Sequence, residues 1–108
     1  QLKNGEPLTV VGSGEQQRDF THVEDICEGL IAVSAGEWLG EEFDLGTGTN
    51  YSINEIVELF DTQKTHLPSR PGEAMKTLAG VSKTTELTGW LPKNKLADYI
   101  EGVKNEIK

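Results

Sequence analysis

Ser52-Ile53-Asn54-Glu55 spells a capping box, a hydroxyl followed three residues on by a carboxylate, and Ile53, Ile56, Val57 and Phe60 form an apolar stripe behind it. This stretch limits the fold more than any other, because a capped helix with one apolar face needs a second element to bury that face. Similar but shorter signals recur along the chain. Thr21-His22-Val23-Glu24 has the same spelling, and the helix it would open carries Ile26, Leu30 and Val33 at helical spacing, with Glu24, Asp25 and Glu28 in its first turns. Gly36 is the expected stop. Ser82 to Leu87 allows two helical turns ended by Gly89, and Leu96, Tyr99, Ile100, Val103 and Ile107 stripe a terminal helix beginning near Asn94.

Between these helices only short strands fit. Leu8-Thr9-Val10-Val11 is a β-rich run closed by the turn Gly12-Ser13-Gly14, and Arg18 to His22 reads as a brief extended segment. Glu42-Phe43-Asp44-Leu45 alternates polar and apolar, so a strand is expected there, with Gly46-Thr47-Gly48-Thr49-Asn50 as the following loop. From Lys64 to Gly80 the signal is loop and short strand, punctuated by Pro68 and Pro71. The class is therefore α/β (or α+β), a small mixed sheet with helices packed on it, and residues 1–108 make one domain at most.

Composition narrows the function classes. The 10 basic against 18 acidic side chains give a formal charge of -8, which argues against a nucleic-acid partner, since phosphate backbones are held by clustered Lys and Arg. A small anion held by one or two arginines is still compatible with that balance. No apolar run approaches a membrane span, so no membrane partner is expected. Cys27 is the only cysteine, so neither an intrachain disulfide nor a thiolate metal site is expected, and a reducing cytoplasm is the default. The chain opens on Gln1 rather than Met, which suggests a fragment or a truncated relative of something longer.

Chemistry-bearing residues are sparse. Neither Gly12-Ser13-Gly14 nor Gly46-Thr47-Gly48 has the third glycine of a dinucleotide fingerprint, and neither leads to the Gly-Lys-Ser/Thr of a phosphate loop, so both read as tight turns. His22 and His66 are far apart, with no metal-site spacing around them. His22 is expected to pack or hydrogen-bond at a helix start. No serine sits in a Gly-x-Ser-x-Gly elbow. Cys27, beside an apolar stripe, is expected to be a small buried hydrophobe. Two arginines stand out: Arg18, on an extended segment after a glycine turn, and Arg70, in Pro68-Ser69-Arg70-Pro71-Gly72-Glu73. Each is either a surface ion-pair partner or a guanidinium fork for an anion, and the residues alone leave both open.

Taken together these stretches resemble a known family. Gly12-x-Gly14-x-x-Gln17-Arg18-Asp19-Phe20-x-His22-Val23-x-Asp25 looks like the late motif of the extended short-chain dehydrogenase/reductases, the NAD-dependent nucleotide-sugar epimerases and dehydratases of which UDP-glucose 4-epimerase is one. Four more follow in that family's order: Phe43 to Gly48, Tyr51 to Val57, Pro68 to Glu73, and Ser82-Lys83-x-x-x-Glu86-Leu87-x-Gly89-Trp90-x-Pro92. The resemblance implies the carboxy-terminal, substrate-binding lobe of such an isomerase or lyase, without its Rossmann domain. It implies that Arg18 and Arg70 reach the diphosphate of a nucleoside diphosphate-sugar and that Glu73 accepts hydrogen bonds from the ribose.

The departures carry equal weight. The glycine-rich cofactor motif and the family's Tyr-x-x-x-Lys pair are absent from these residues, and Ala79-Gly80-Val81 stands where an acid usually precedes Ser-Lys. The expectation is therefore no catalytic residue, no cofactor ligand and no metal ligand in this chain, with NAD(P) belonging to the parent enzyme. The expected partners are a nucleotide-sugar and a Rossmann cofactor domain in cis or in trans, with homo-oligomer formation through exposed apolar surface. The alternative is a free-standing, non-catalytic interaction module that binds a nucleotide-sugar or complements a separate cofactor domain.

Overall fold

The structure, a computed structural model, describes residues 1–107. Eight elements follow one another: β1 (Leu8–Val11), β2 (Gln17–Arg18), α1 (Val23–Ser34), β3 (Tyr51–Ser52), α2 (Ile53–Phe60), β4 (Lys64–Leu67), α3 (Ser82–Thr88) and α4 (Leu96–Ile107). The class is the expected mixture of helices and short strands, with both parallel and antiparallel pairing. β1 pairs with β4 in parallel from Leu8 opposite Lys64 to Val11 opposite Leu67. β2 pairs with β3 antiparallel, Gln17 opposite Ser52 and Arg18 opposite Tyr51. A parallel pair needs a long crossover, and here the crossover holds β2, α1, β3 and α2.

Local signals explain most element ends. At α2 both arms of the capping box are made: Ser52 Oγ accepts from Glu55 N at 3.0 Å, and Ser52 N donates to Glu55 Oε2 at 2.9 Å. Gly89, with φ of 74°, ends α3 in the left-handed conformation that lets its N–H reach the Thr85 carbonyl. At α1 the cap is His22 instead of Thr21. His22 Nδ1 accepts from Glu24 N at 3.0 Å, while the Thr21 hydroxyl turns back to Asp19 at 3.3 Å. The Thr21 hydroxyl donates to the Asp19 carboxylate, and the helix N-terminus takes its side-chain acceptor from the imidazole.

Three further expectations are overturned. The stretch from Glu42 to Leu45 is not a strand: it has no partner strand, and α3 covers it instead, with Lys83 Nζ on the Glu42 carbonyl and Thr84 Oγ1 on the Asp44 carbonyl. Cys27 is exposed, not buried. Leu30 is also outside, because α1 turns Asp25 and Gly29 inward and leaves Val23, Leu30 and Ile31 outward. Gly29 is required there: a Cβ would lie 2.8 Å from Leu45 and 3.1 Å from Trp90.

The core is small and the molecule is thin. Val10, Val57, Trp90 and Ile100 are the buried hydrophobic residues, and α2 packs against α4 over part of them. Extents of 49 × 34 × 16 Å make a slab about one element thick. Its radius of gyration is 16.5 Å; a compact domain of this length has about 13 Å. The accessible surface is 7430 Å², against roughly 5,900 Å² for a folded monomer of this mass. Among the described residues no helix is long and apolar enough to cross a membrane.

Candidate functional site

Arg18 is placed by two neighbouring backbones, one on each side of β2. β3 lies on one side of β2, and on the other Gln17 N donates to the Met75 carbonyl at 2.8 Å while Thr77 N donates to the Gln17 carbonyl at 3.0 Å. The segment that follows β4 is thereby drawn alongside β2, and Gln17 bridges Lys76 in parallel. Arg18 Nη1 donates to the Gln17 carbonyl at 2.8 Å, and Nη2 lies 3.5 Å from Glu73 Oε1. Both side chains keep about a quarter to a third of their surface in solvent, 25% and 32%. The structure thus brings together two of the three residues singled out in the sequence, 55 positions apart. Arg70 lies in the exposed turn just before Glu73 and makes no ion pair among the described residues.

Two residues that the sequence did not single out act beside this pair, Gln16 on Glu73 itself and Asp19 on the loops next to Arg18. Gln16 is buried, and its amide nitrogen donates to the Val11 carbonyl at 2.9 Å and to Glu73 Oε1 at 3.3 Å. Asp19 gathers donors from two loops. Its Oδ1 accepts from Thr47 N at 3.0 Å and from the Thr47 hydroxyl, and its Oδ2 accepts from Gly48 N at 2.9 Å and Ala79 N at 3.3 Å. Burial is the largest influence on its carboxyl and pushes the pKa up, but these hydrogen bonds outweigh it and hold the group below 3.8. No local pattern reveals either role, because their partners lie up to 60 residues away.

Asp25 does the same in the first turn of α1. Its carboxylate accepts from Lys93 N at 3.0 Å, Asn94 N at 2.9 Å and Asn94 Nδ2 at 3.1 Å, pinning the turn that precedes α4. Here too burial, the largest influence, raises the pKa, and the hydrogen bonds from Lys93 and Asn94, aided electrostatically by the nearby His22, lower it below 3.8. His22 itself caps α1 and meets the Tyr99 ring edge-on at 5.5 Å, the packing role expected of it.

Chemically the Arg18–Glu73 corner offers a guanidinium for an anion beside an acceptor for a hydroxyl. Neither glycine pair opens a helix, since Gly12–Gly14 leads to β2 and Gly46–Gly48 to β3, and the N-terminus of α2 is closed by its own capping box. Among the described residues no group of acids, histidines and cysteine could hold a metal ion.

Comparison with known proteins agrees with this architecture. Residues 1–46 match the NAD dependent epimerase/dehydratase family model. The chain is 33% identical to a UDP-glucuronate 4-epimerase of Thermodesulfobacterium geofontis, across 94% of this chain and 32% of that protein. It is 36% identical to UDP-glucuronic acid decarboxylase 2 of Arabidopsis thaliana, across 84% of this chain and 22% of that protein. Among solved structures it resembles the UDP-glucuronic acid 4-epimerase of Bacillus cereus in complex with UDP-glucuronic acid and NAD, with a TM-score of 0.84, 31% identity, and coverage of 99% of this chain and 37% of that one. A UDP-glucose 4-epimerase of Thermotoga maritima with UDP-glucose matches with a TM-score of 0.83 and 25% identity, over 98% of this chain and 37% of that one. The chain thus spans about a third or less of the length of these relatives. Its similarity is to NAD-dependent nucleotide-sugar epimerases and decarboxylases of the extended short-chain dehydrogenase/reductases, over a fragment of their length.

Proposed function

We propose that residues 1–108 are the nucleotide-sugar-binding lobe of an NAD(P)-dependent sugar epimerase or dehydratase, without catalytic groups of their own. Arg18 and Arg70 take the diphosphate and Glu73 accepts from the ribose. The observation that carries this reading is the Arg18–Glu73 corner, an anion-binding fork and a hydroxyl acceptor 3.5 Å apart on a partly open surface. Complementarity to a nucleoside diphosphate needs that juxtaposition. Several relatives are named for UDP-sugars, which supports the same class. The reaction is a matter for the cofactor-bearing part, since epimerases and a decarboxylase share this lobe.

The thin shape and the outward stripe of α1 favour a cofactor domain as partner, in cis or in trans. They equally support a second reading, a free-standing module that binds the nucleotide-sugar or self-associates through that stripe. An amide NMR titration of the chain with UDP-glucose, GDP-mannose and dTDP-glucose tests the binding role. Saturable shifts with one nucleotide, lost in Arg18→Ala and in Arg70→Ala, are expected. A dispersed spectrum that none of the three ligands perturbs overturns autonomous binding.

A further inference from the structure

Glu73 belongs to a stretch without regular secondary structure, running from Pro68 to Val81 and mostly exposed, so something outside that stretch must set its geometry. Two side chains do so, and both bind the same oxygen. Arg18 Nη2 approaches Glu73 Oε1 at 3.5 Å, and Gln16 Nε2 donates to it at 3.3 Å. Among the described residues Oε2 accepts nothing.

The orientation of Gln16 has one solution. It is 5% exposed, and its nitrogen carries two hydrogens, one committed to the Val11 carbonyl and one to Glu73. Turning the amide over would set its oxygen against a carbonyl and a carboxylate, three acceptors with no hydrogen among them. Val11 closes β1 and is paired opposite Leu67 of β4, so the amide refers the Glu73 carboxylate to the parallel sheet. Arginine and carboxylate otherwise favour a two-pronged pairing that would engage both oxygens. Gln16 occupies part of Oε1 and works against it.

We propose that Gln16 is a positioning residue of the nucleotide site: it holds Glu73 by Oε1 and so keeps Oε2 available as the acceptor for a ligand hydroxyl. This rests on the nucleotide-sugar reading for its ligand, and on the ligand-free geometry for its mechanism. Removing the amide lets Arg18, already paired with Oε1, take Oε2 as well, which closes the hydroxyl acceptor.

The test has two arms on the full chain. Without ligand, Glu73→Ala, a change on the exposed stretch, is expected to move one of the two Gln16 side-chain amide protons upfield and leave the other in place. Two unmoved protons overturn the contact. With ligand, UDP and inorganic pyrophosphate are compared by calorimetry for Gln16→Leu, Glu73→Ala and the double variant. Gln16→Leu is expected to weaken UDP about tenfold, the value of roughly one hydrogen bond, with no loss toward pyrophosphate, which has no hydroxyl to present. In the Glu73→Ala background the same change is expected to do nothing. An equal loss for both ligands, or a loss that persists without Glu73, means that Gln16 only supports the fold and overturns the proposal. A wild-type chain that binds neither ligand overturns the nucleotide reading and the ligand role with it, while the amide-proton arm still decides whether Gln16 holds Glu73.

Discussion

Replacing Asp25 by alanine removes a carboxylate that is 1% exposed and accepts three hydrogen bonds from the turn before α4. Each bond to an ionised acceptor contributes about 1.5–3 kcal/mol net, but the three are not additive, and water can reach the freed Lys93 and Asn94. A loss of about 3–5 kcal/mol follows, a large share of the roughly 5–15 kcal/mol that holds a domain together. With an m-value of about 1.5 kcal/mol/M, the urea midpoint falls by about 2–3 M. Trp90, buried at 6% exposure, is a fluorescence reporter for the transition. Asp25→Asn keeps one acceptor and turns an amide donor toward other donors, so it is expected to fall between the two. The sign with pH follows from the direction of the pKa. The folded carboxyl lies below 3.8, so its stabilisation is complete above that value and is lost as pH falls through the folded pKa. The gap between wild type and Asp25→Asn is therefore constant at neutral pH and closes below about 3.8. A loss under about 1 kcal/mol for Asp25→Ala, or a gap unchanged down to pH 2, refutes the reasoning.

Gly14→Ala combines a φ of +78° with a Cβ that would sit 2.2 Å from Asn54 Oδ1 and 2.8 Å from Val10 Cγ1. It is expected to cost about 2–4 kcal/mol by urea denaturation, whereas Gly72→Ala, with φ of +77° and open space around it, costs about 1–2 kcal/mol from the backbone alone. Equal costs would show that the Gly14 turn can open. Leu30 and Ile31, 59% and 68% exposed on one side of α1, are expected to make the chain self-associate. Sedimentation velocity should show mass rising with concentration for wild type and not for a Leu30→Gln, Ile31→Gln variant; a monomeric wild type at every concentration sinks that expectation.

Much of the local structure was legible because its causes lie within one or two turns of chain. The capping box at Ser52, the glycine stop at Gly89 and the run Leu8–Val11 each carry their signal in adjacent residues. The approximate start of α4 follows from its stripe in the same way. Wherever two local signals competed, sequence could not rank them. Thr21 spells the capping box, yet in the fold His22 accepts from Glu24 N while the Thr21 hydroxyl donates to Asp19. Alternation from Glu42 to Leu45 reads as a strand in any context, yet a strand exists only where another backbone is beside it, and there α3 side chains are. Likewise the periodicity of α1 marked apolar residues without saying which side faces inward; the close approach of Gly29 to Leu45 and Trp90 chose that side and left Cys27 and Leu30 out.

The same division holds at the candidate site. By itself the sequence determined that Arg18 and Arg70 stand in extended or proline-restricted settings, that Glu73 follows Arg70 closely, and that the motifs occur in the family's order. Tertiary structure decided that Glu73 pairs with Arg18, that Gln16 acts on Glu73 and Asp19 on the loops next to Arg18, and that Asp25 ties α1 to the turn before α4. The physical reason is range. Capping, turn and stripe signals act between near neighbours in the chain, whereas a carboxylate is satisfied by whichever donors the packed elements bring within about 3 Å, wherever they lie in the sequence.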